Sequence, residues 1–214
     1  MKYDCTGVIL AGGKNSRLPG EKKTFRRVGK DMMLTRIHDL FLKLFNEVII
    51  VVNDPRDFIG LDMMVVTDIH PSRCALAGLH AGLFYASNPW VYVTACDVPF
   101  VNEQVIRHLV SQREVRAEVI VPRTDDGLEP LAALYSRECI PLIEKNLEKK
   151  MYMIKKFFRM KKVKEIPVSA LKKLDPSMQF MFNVNTPEDL EIARSMAEKQ
   201  LPDKKLPEKQ LPDK

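Results

Sequence analysis

No apolar run in this 214-residue chain approaches the roughly twenty residues that a membrane-spanning helix needs. The opening MKYDCTGVILAGG has neither the basic start nor the extended apolar stretch of a secretion signal, so a cytoplasmic location without membrane contact is expected. Cysteine is scarce: Cys5, Cys74, Cys96 and Cys139 are scattered without a C-x-x-C pair, which argues against a zinc site or redox dithiol and for small, reduced side chains. Two glycine-rich phosphate motifs are also absent. A G-x-x-x-x-G-K-[ST] loop needs Lys-Ser or Lys-Thr directly after its second glycine, and no glycine is placed to give that. A G-x-G-x-x-G fingerprint needs a third glycine opening a helix, but after Gly12 and Gly13 the next is Gly20, preceded by Pro19.

What is present at that point is a Gly-Gly turn after the apolar run VILA. Without a Cβ its backbone N–H groups can approach an anion closely, and Lys14, Arg17, Lys22 and Lys23 follow within reach. Physical reasoning alone leaves two readings open, an anion-binding loop and an ordinary strand-to-helix turn with solvated lysines.

At 45% hydrophobic content the chain can bury one sizeable core. Its net charge of +6 is uneven: residues 145–173 carry eleven Lys/Arg against two acids, while the body outside that segment and the tail is mildly acidic. A nonspecific nucleic-acid binder tends to be basic throughout, and no aromatic-interleaved basic surface accompanies the charge, so no nucleic-acid partner is expected.

Short apolar runs at 6–11, 47–53, 63–68, 90–97 and 117–123 alternate with helix-like stretches near 32–45, 76–87, 102–113, 137–149 and 187–199. Val and Ile without polar alternation mark strands buried on both faces. The pattern predicts an α/β fold with a doubly wound, mainly parallel sheet between helical layers, and its ligand belongs at the carboxyl ends of the strands. Those ends are Ala11-Gly12-Gly13, Asn53-Asp54, Thr67-Asp68 and Cys96-Asp97, each with a turn residue or a carboxylate. Within 145–162, Leu147, Met151, Ile154 and Phe158 share one helical stripe among lysines, which reads as a core-packed helix with a basic outer face in preference to a membrane-surface helix. The repeated L-P-[DE]-K units of 199–214 predict a disordered tail after a single domain over 1–198.

Asp97 at a strand end facing a polyphosphate loop is placed to hold Mg²⁺, which prefers oxygen ligands and keeps several waters; the same residue type also caps helices, a role Asn102 can fill for the next helix. Thr186, with Pro187 next and Asp189 three residues on, reads as a helix start.

Leu10-Ala11-Gly12-Gly13 with Arg17 and Lys22 closely resembles the L-A-G-G-x-x-x-R-M-G-x-[DE]-K opening of the molybdenum cofactor guanylyltransferases, the MobA family. Further similarities follow in order: Asn53, Asp68, Leu76-Ala77-Gly78, Cys96-Asp97-Val98-Pro99-Phe100, Glu129-Pro130-Leu131 with Ala133-Leu134-Tyr135, and Asn183-Val184-Asn185-Thr186-Pro187-Glu188-Asp189-Leu190. The likeness spans roughly 5–197. Two departures stand out: Leu18-Pro19 replaces Met-Gly, and Cys74-Ala75 replaces Gly-Pro ahead of Leu-Ala-Gly, a region expected near the base.

The resemblance implies a Rossmann-like fold of the nucleotide-diphospho-sugar transferase type, with a nucleotide-binding N-terminal part and an acceptor-binding C-terminal part. It implies transfer of GMP from GTP to the terminal phosphate of molybdopterin, with Mg²⁺ as cofactor and with molybdoenzymes or other cofactor-biosynthesis proteins as possible partners. By the same likeness Leu10, Ala11, Gly12, Gly13, Lys22, Asn53, Asp68 and Asp97 bind nucleotide, Arg17, Lys22 and Asp97 serve catalysis, Asp97 holds the metal, and Asn183 and Asn185 bind the acceptor. An ionised phosphate acceptor needs no general base, which agrees with the lack of a Ser-His-Asp or Cys-His constellation; His38, His70, His80 and His108 fall outside the matched positions and read as surface or structural. The lysines at 155, 156, 161 and 162 become candidates for attracting the anionic acceptor. Open at this point are cytidylyl or sugar-phosphate nucleotidyl transfer, suggested against by L-A-G-G where cytidylyl relatives carry L-A-A-G, and a nucleotide-binding cofactor chaperone without turnover.

Overall fold

The computed structural model describes residues 1–12, 23–113 and 116–200. Its strands are β1 (Tyr3–Leu10), β2 (Arg27–Val28), β3 (Asp31–Met32), β4 (Phe45–Val52), β5 (Val65–Thr67), β6 (Trp90–Ala95), β7 (Val119–Thr124), β8 (Gly127–Leu128), β9 (Ala132–Ser136) and β10 (Val163–Pro167). The helices are α1 (Met33–Leu44), α2 (Ala75–Tyr85), α3 (Glu103–Ser111), α4 (Ile140–Glu148), α5 (Ile154–Phe157), α6 (Val168–Lys172) and α7 (Pro187–Gln200). Eight strands form one sheet in the order β10-β7-β9-β6-β1-β4-β5, with β8 paired to β7, while β2 and β3 make a separate small ladder.

From β1 at the centre the chain moves outward through β4 to β5, then crosses back by way of α2 to β6 on the other side of β1. The winding therefore reverses at β1, the position where open α/β sheets bind ligands. β1 pairs in parallel with both β4 and β6, and β4 with β5; β9 is antiparallel to β6 and to β7, and β10 is parallel to β7. The sheet is thus mainly parallel, with β9 and the short β8 reversed.

Side chains alternate between two apolar layers. Cys5 and Ile9 of β1, Ile50 and Val52 of β4, and Tyr92 of β6 join Ile37 and Phe41 of α1, Leu109 of α3 and Leu171 of α6. On the opposite face Val8, Leu10, Ile49, Val51, Val91 and Val93 meet Leu79 and Leu83 of α2, Ile143 and Leu147 of α4 and Phe157 of α5. Burial on both faces explains why these strands read as unbroken Val/Ile runs. A third cluster joins Val28 and Met33 to Phe100, Val184 and the α7 residues Leu190, Ala193 and Ala197. Close approach of α2 to the central strand depends on small residues: a Cβ at Gly82 would lie 2.7 Å from Val8 Cγ1.

The five helices expected from periodicity form within a few residues of their expected bounds, the fourth opening with a 3₁₀ turn, Arg137–Cys139, before Pro141 in the first turn of α4. Five strands lie outside the expected apolar runs: β9, β10 and the two-residue β2, β3 and β8. The stretch 145–162 is a second departure, because α4 stops at Glu148, Lys150 takes φ 57°, and the chain resumes as α5 and a 3₁₀ turn over Phe158–Met160. A left-handed residue ends a helix by turning its next N–H groups back onto the last carbonyls, as Lys150 N does to Leu147 O at 3.0 Å and Met151 N to Asn146 O at 2.8 Å. Leu147, Ile154, Phe157 and Phe158 are nevertheless buried, so the segment packs on the core as expected without being one helix. No described helix is long and apolar enough to cross a membrane.

Candidate active site at the carboxyl edge of the sheet

Parallel strands deliver their carboxyl ends to one edge, and here β5, β4, β1 and β6 stand side by side and lead within one or two residues into Asp68, Asn53, Gly12 and Asp97 respectively. Pairing continues past the strands: Ala11 N donates to Val51 O at 2.8 Å and Cys96 N donates to Leu10 O at 3.0 Å. The three central ends are thereby held in register. Gly12 faces the Asn53 side chain so closely that a Cβ there would come within 2.6 Å of Asn53 Oδ1. Bare backbone and a carboxamide are thus side by side at the point where the winding reverses.

Asp68 sits half-buried where α2 begins. A Cβ at Gly78 would lie 3.3 Å from Leu10 Cδ2 and 3.8 Å from Asp68 Oδ1, so the small helix opening makes room for both. Burial pushes the Asp68 carboxyl above the usual carboxylate range, and the nearby charges of Arg73, His70 and His80 pull it back in part.

Asp97 is fixed from a different direction. Its backbone O accepts from Val184 N at 2.9 Å, which brings Asn183 and Asn185 to its side of the edge. Asn183 Nδ2 donates to Met181 O at 3.2 Å. The segment is anchored by a reciprocal cap on α7: Asp189 N donates to Thr186 Oγ1 at 3.1 Å, while Asp189 Oδ2 accepts from Asn185 N and Thr186 N at 2.9 Å each. The helix start expected at Thr186 is therefore present, and so is the Asn102 cap of α3, whose side chain accepts from Gln104 N and Val105 N. Thr24 is buried with Oγ1 3.8 Å from Cys96 Sγ, next to Asp97.

Structure thus brings Leu10, Ala11, Gly12, Asn53, Asp68, Asp97, Asn183 and Asn185 to one edge in two groups, joined through the neighbouring strands β1 and β6. Gly13, Arg17 and Lys22 lie outside the described residues. Among the described residues no group of three or more His, Cys, Asp or Glu side chains is placed to hold a metal. A lone carboxylate with amide neighbours suits a hard cation that takes most of its ligands from water and phosphate, and suits zinc or calcium poorly.

Two histidines, His70 and His80, lie near Asp68, but each hydrogen-bonds a residue outside the row. His80 is buried on α2, with Nε2 3.0 Å from Glu144 Oε1, and His38 is buried on α1, where burial lowers its pKa. His70 Nδ1 accepts from Ser72 N at 3.2 Å. The four cysteines are free thiols, and burial pushes those of Cys5 and Cys139 up to about 12.

One neighbour of the site was matched in sequence but given no role. Because β9 runs backwards, the turn leading into it, Glu129-Pro130-Leu131, lies at the carboxyl edge beside the end of β6, where Thr94 pairs with Ala132. Glu129 N donates to Pro122 O at 3.0 Å, and Tyr135 OH donates to Pro130 O at 2.6 Å, so the turn is fixed at both ends.

The model of the MobA-like NTP transferase domain matches residues 7–165. The chain belongs to that family. Membership makes it a nucleotidyltransferase. A molybdenum cofactor guanylyltransferase of Desulfosudis oleivorans is 36% identical over 190 residues, which cover 89% of this chain and 94% of that protein. A probable molybdenum cofactor guanylyltransferase of Pelotomaculum thermopropionicum is 37% identical over 193 residues, 90% of this chain and 93% of that one. Among solved structures, the molybdopterin-guanine dinucleotide biosynthesis protein A of Archaeoglobus fulgidus superposes with a TM-score of 0.80 at 25% identity, covering 91% of this chain and 99% of its own. The last helix, α7, and the Asn183–Asn185 segment lie beyond the span matched by the family model.

Proposed function

We propose that this protein transfers GMP from GTP to the terminal phosphate of molybdopterin, with or without molybdenum already bound, giving the guanine dinucleotide form of the cofactor and pyrophosphate. The observation that carries the reading is the row Asp68, Asn53, Gly12, Asp97 across four neighbouring strand ends, in a chain whose near-full-length relatives are named guanylyltransferases.

An oxygen of the acceptor phosphate attacks the α-phosphorus of GTP, a phosphoanhydride bond forms, and the bond to the β-phosphate breaks to release pyrophosphate. The attacking oxygen is already ionised, so no protein base is required. Positioning and charge neutralisation are what the protein supplies. Backbone at Ala11 and Gly12 lets the triphosphate come close, and Arg17 and Lys22 offset its charge. Asn53 and Asp68 line the nucleoside side of the row; a carboxylate, which only accepts hydrogen bonds, suits the adjacent N–H donors of a guanine edge. Asn183 and Asn185 face the acceptor phosphate. Asp97, with oxygens of bound phosphates and water completing the shell, is the residue that would hold Mg²⁺. When bound there, the ion supplies Lewis-acid neutralisation of phosphate charge.

Calorimetric binding of GTP, CTP, ATP and UTP with Mg²⁺ to the native chain and to Asp97→Ala tests this reading, followed by pyrophosphate release with molybdopterin. GTP preference, lost or weakened at least tenfold in the variant, is the expected result. Preference for CTP would move the protein to cytidylyl transfer, and GTP binding without pyrophosphate release would make it a nucleotide-binding chaperone.

A further inference from the structure

The basic segment 145–173 does not act as one patch, because the fold sends its lysines to opposite edges of the sheet. Lys161 Nζ lies 2.6 Å from Glu118 Oε1 and 2.9 Å from Glu138 O, and Lys162 N donates to Glu118 Oε2 at 2.9 Å. Glu118 immediately precedes β7, so this pair of lysines sits at the amino edge, away from the strand ends that carry the site. They close β10 onto β7 through Glu118 N and Lys162 O at 2.8 Å.

Lys155 points the other way. From α5 its Nζ reaches the β7–β8 hairpin, 3.7 Å from where a Cβ on Gly127 would stand, and Gly127 takes φ +117°. That hairpin follows the carboxyl end of β7 and leads within two residues into Glu129. Glu129 is half-buried; burial raises its carboxyl pKa, while the charge of Lys155 and a hydrogen bond from Thr124 Oγ1, at 3.4 Å from Oε1, lower it and Asp126 opposes them. The turn Glu129–Leu131 lies beside the end of β6, whose next residues are Cys96 and Asp97.

We propose that Lys155, whose ammonium lies against the β7–β8 hairpin at Gly127, is the cationic subsite that receives the phosphate monoester of the acceptor on the β9 side of Asp97. The inference rests on the transfer reaction proposed above and specifies where the acceptor enters. Lys155 is solvent-exposed, so its ammonium can meet a ligand without burying an unpaired charge.

The test compares the native full-length chain with Lys155→Gln, Glu129→Gln and Lys162→Gln, each saturated with a GTP analogue that cannot be cleaved between the α- and β-phosphates. Equilibrium binding of molybdopterin is then measured, with GTP affinity and thermal midpoint recorded alongside. The subsite predicts that Lys155→Gln weakens molybdopterin binding roughly tenfold while GTP affinity stays unchanged, since one charge-assisted hydrogen bond is lost. Glu129→Gln is expected to weaken it by a smaller factor through looser positioning of Lys155. Lys162→Gln removes the same charge from the same segment at the far edge and is expected to leave binding within twofold. An equal loss in Lys155→Gln and Lys162→Gln would reduce the effect to general charge and overturn the proposal. So would a fall in thermal midpoint with molybdopterin binding unchanged, the mark of a purely structural pair. The two claims fail separately: pyrophosphate release by the native chain decides the transfer reaction, and the relative affinities decide the subsite. A native chain that does not bind molybdopterin at all overturns both.

Discussion

Gly12 shows how much of the site turns on one missing methyl group. In Gly12→Ala the new Cβ would stand 2.6 Å from Asn53 Oδ1, a contact that the flexible carboxamide can relieve by turning away. The fold should therefore lose no more than about 1 kcal/mol, whereas GTP affinity should fall at least tenfold, because both the close backbone approach and the Asn53 orientation are lost; calorimetry beside thermal unfolding separates the two. Asp68 makes the opposite trade. Its carboxyl pKa is raised by burial, so only in the window between the unfolded and native pKa values does the native state hold a proton that the unfolded chain has released, and the group weighs against folding as pH rises through that window. Asp68→Asn should consequently raise the thermal midpoint at pH 7, with the gain shrinking toward zero as pH falls to about 4, while weakening GTP binding. A gain over the native chain that is no larger at pH 7 than at pH 4 would show that the neighbouring Arg73, His70 and His80 offset the burial fully. The polar strand ends themselves were legible in sequence, because carboxylates, amides and glycines directly follow the Val/Ile runs that mark buried strands. The contact of Gly12 with Asn53 was not, since it depends on β1 and β4 pairing across more than thirty intervening residues.

Elements with strong local signals formed where the sequence placed them. The α3 and α7 caps at Asn102 and Thr186 are short-range chemistry, and the amphipathic spacing of α1 survives in its buried Ile37, Phe41 and Leu44. β9 and β10 were missed for physical reasons. Ala132–Ser136 is buried at every position but short and partly made of alanine, so its strand character comes from lying between β6 and β7 and not from its own propensity. Val163–Pro167 sets two adjacent charged residues, Lys164 and Glu165, between Val163 and Ile166 inside a lysine-rich stretch and is defined by its pairing to β7. The break after α4 depends on Lys150 adopting a left-handed backbone, which composition does not foretell. α2 carries the sharpest prediction at this scale. Gly82→Ala would force a Cβ to 2.7 Å from Val8 Cγ1, between a helix and the central strand, where neither side can move away alone. Overpacking of this kind should cost about 1–3 kcal/mol, seen as a fall of several degrees in thermal midpoint. Gly60→Ala, with open space around it but φ +87°, tests backbone strain instead of crowding and should be milder.

Across the whole molecule, the fold class followed from alternation of apolar runs and helices, but the strand order did not, because nothing local says that β9 runs backwards between two strands pointing the other way. The same limit applied to charge. Eleven cations in one stretch of sequence look like one surface, yet the fold separates Lys161, locked to Glu118 at one edge, from Lys155 at the other. Distance along the chain also misleads in the reverse sense, since Val184, near the far end of the described residues, gives its N–H to the backbone of Asp97. During synthesis the last strand of the sheet, ending at Pro167, is complete before that donor has been made. A nascent chain can therefore own its full set of strands while the loop bearing Asp97 still waits for its latch, and readiness to react arrives later than the architecture that houses it.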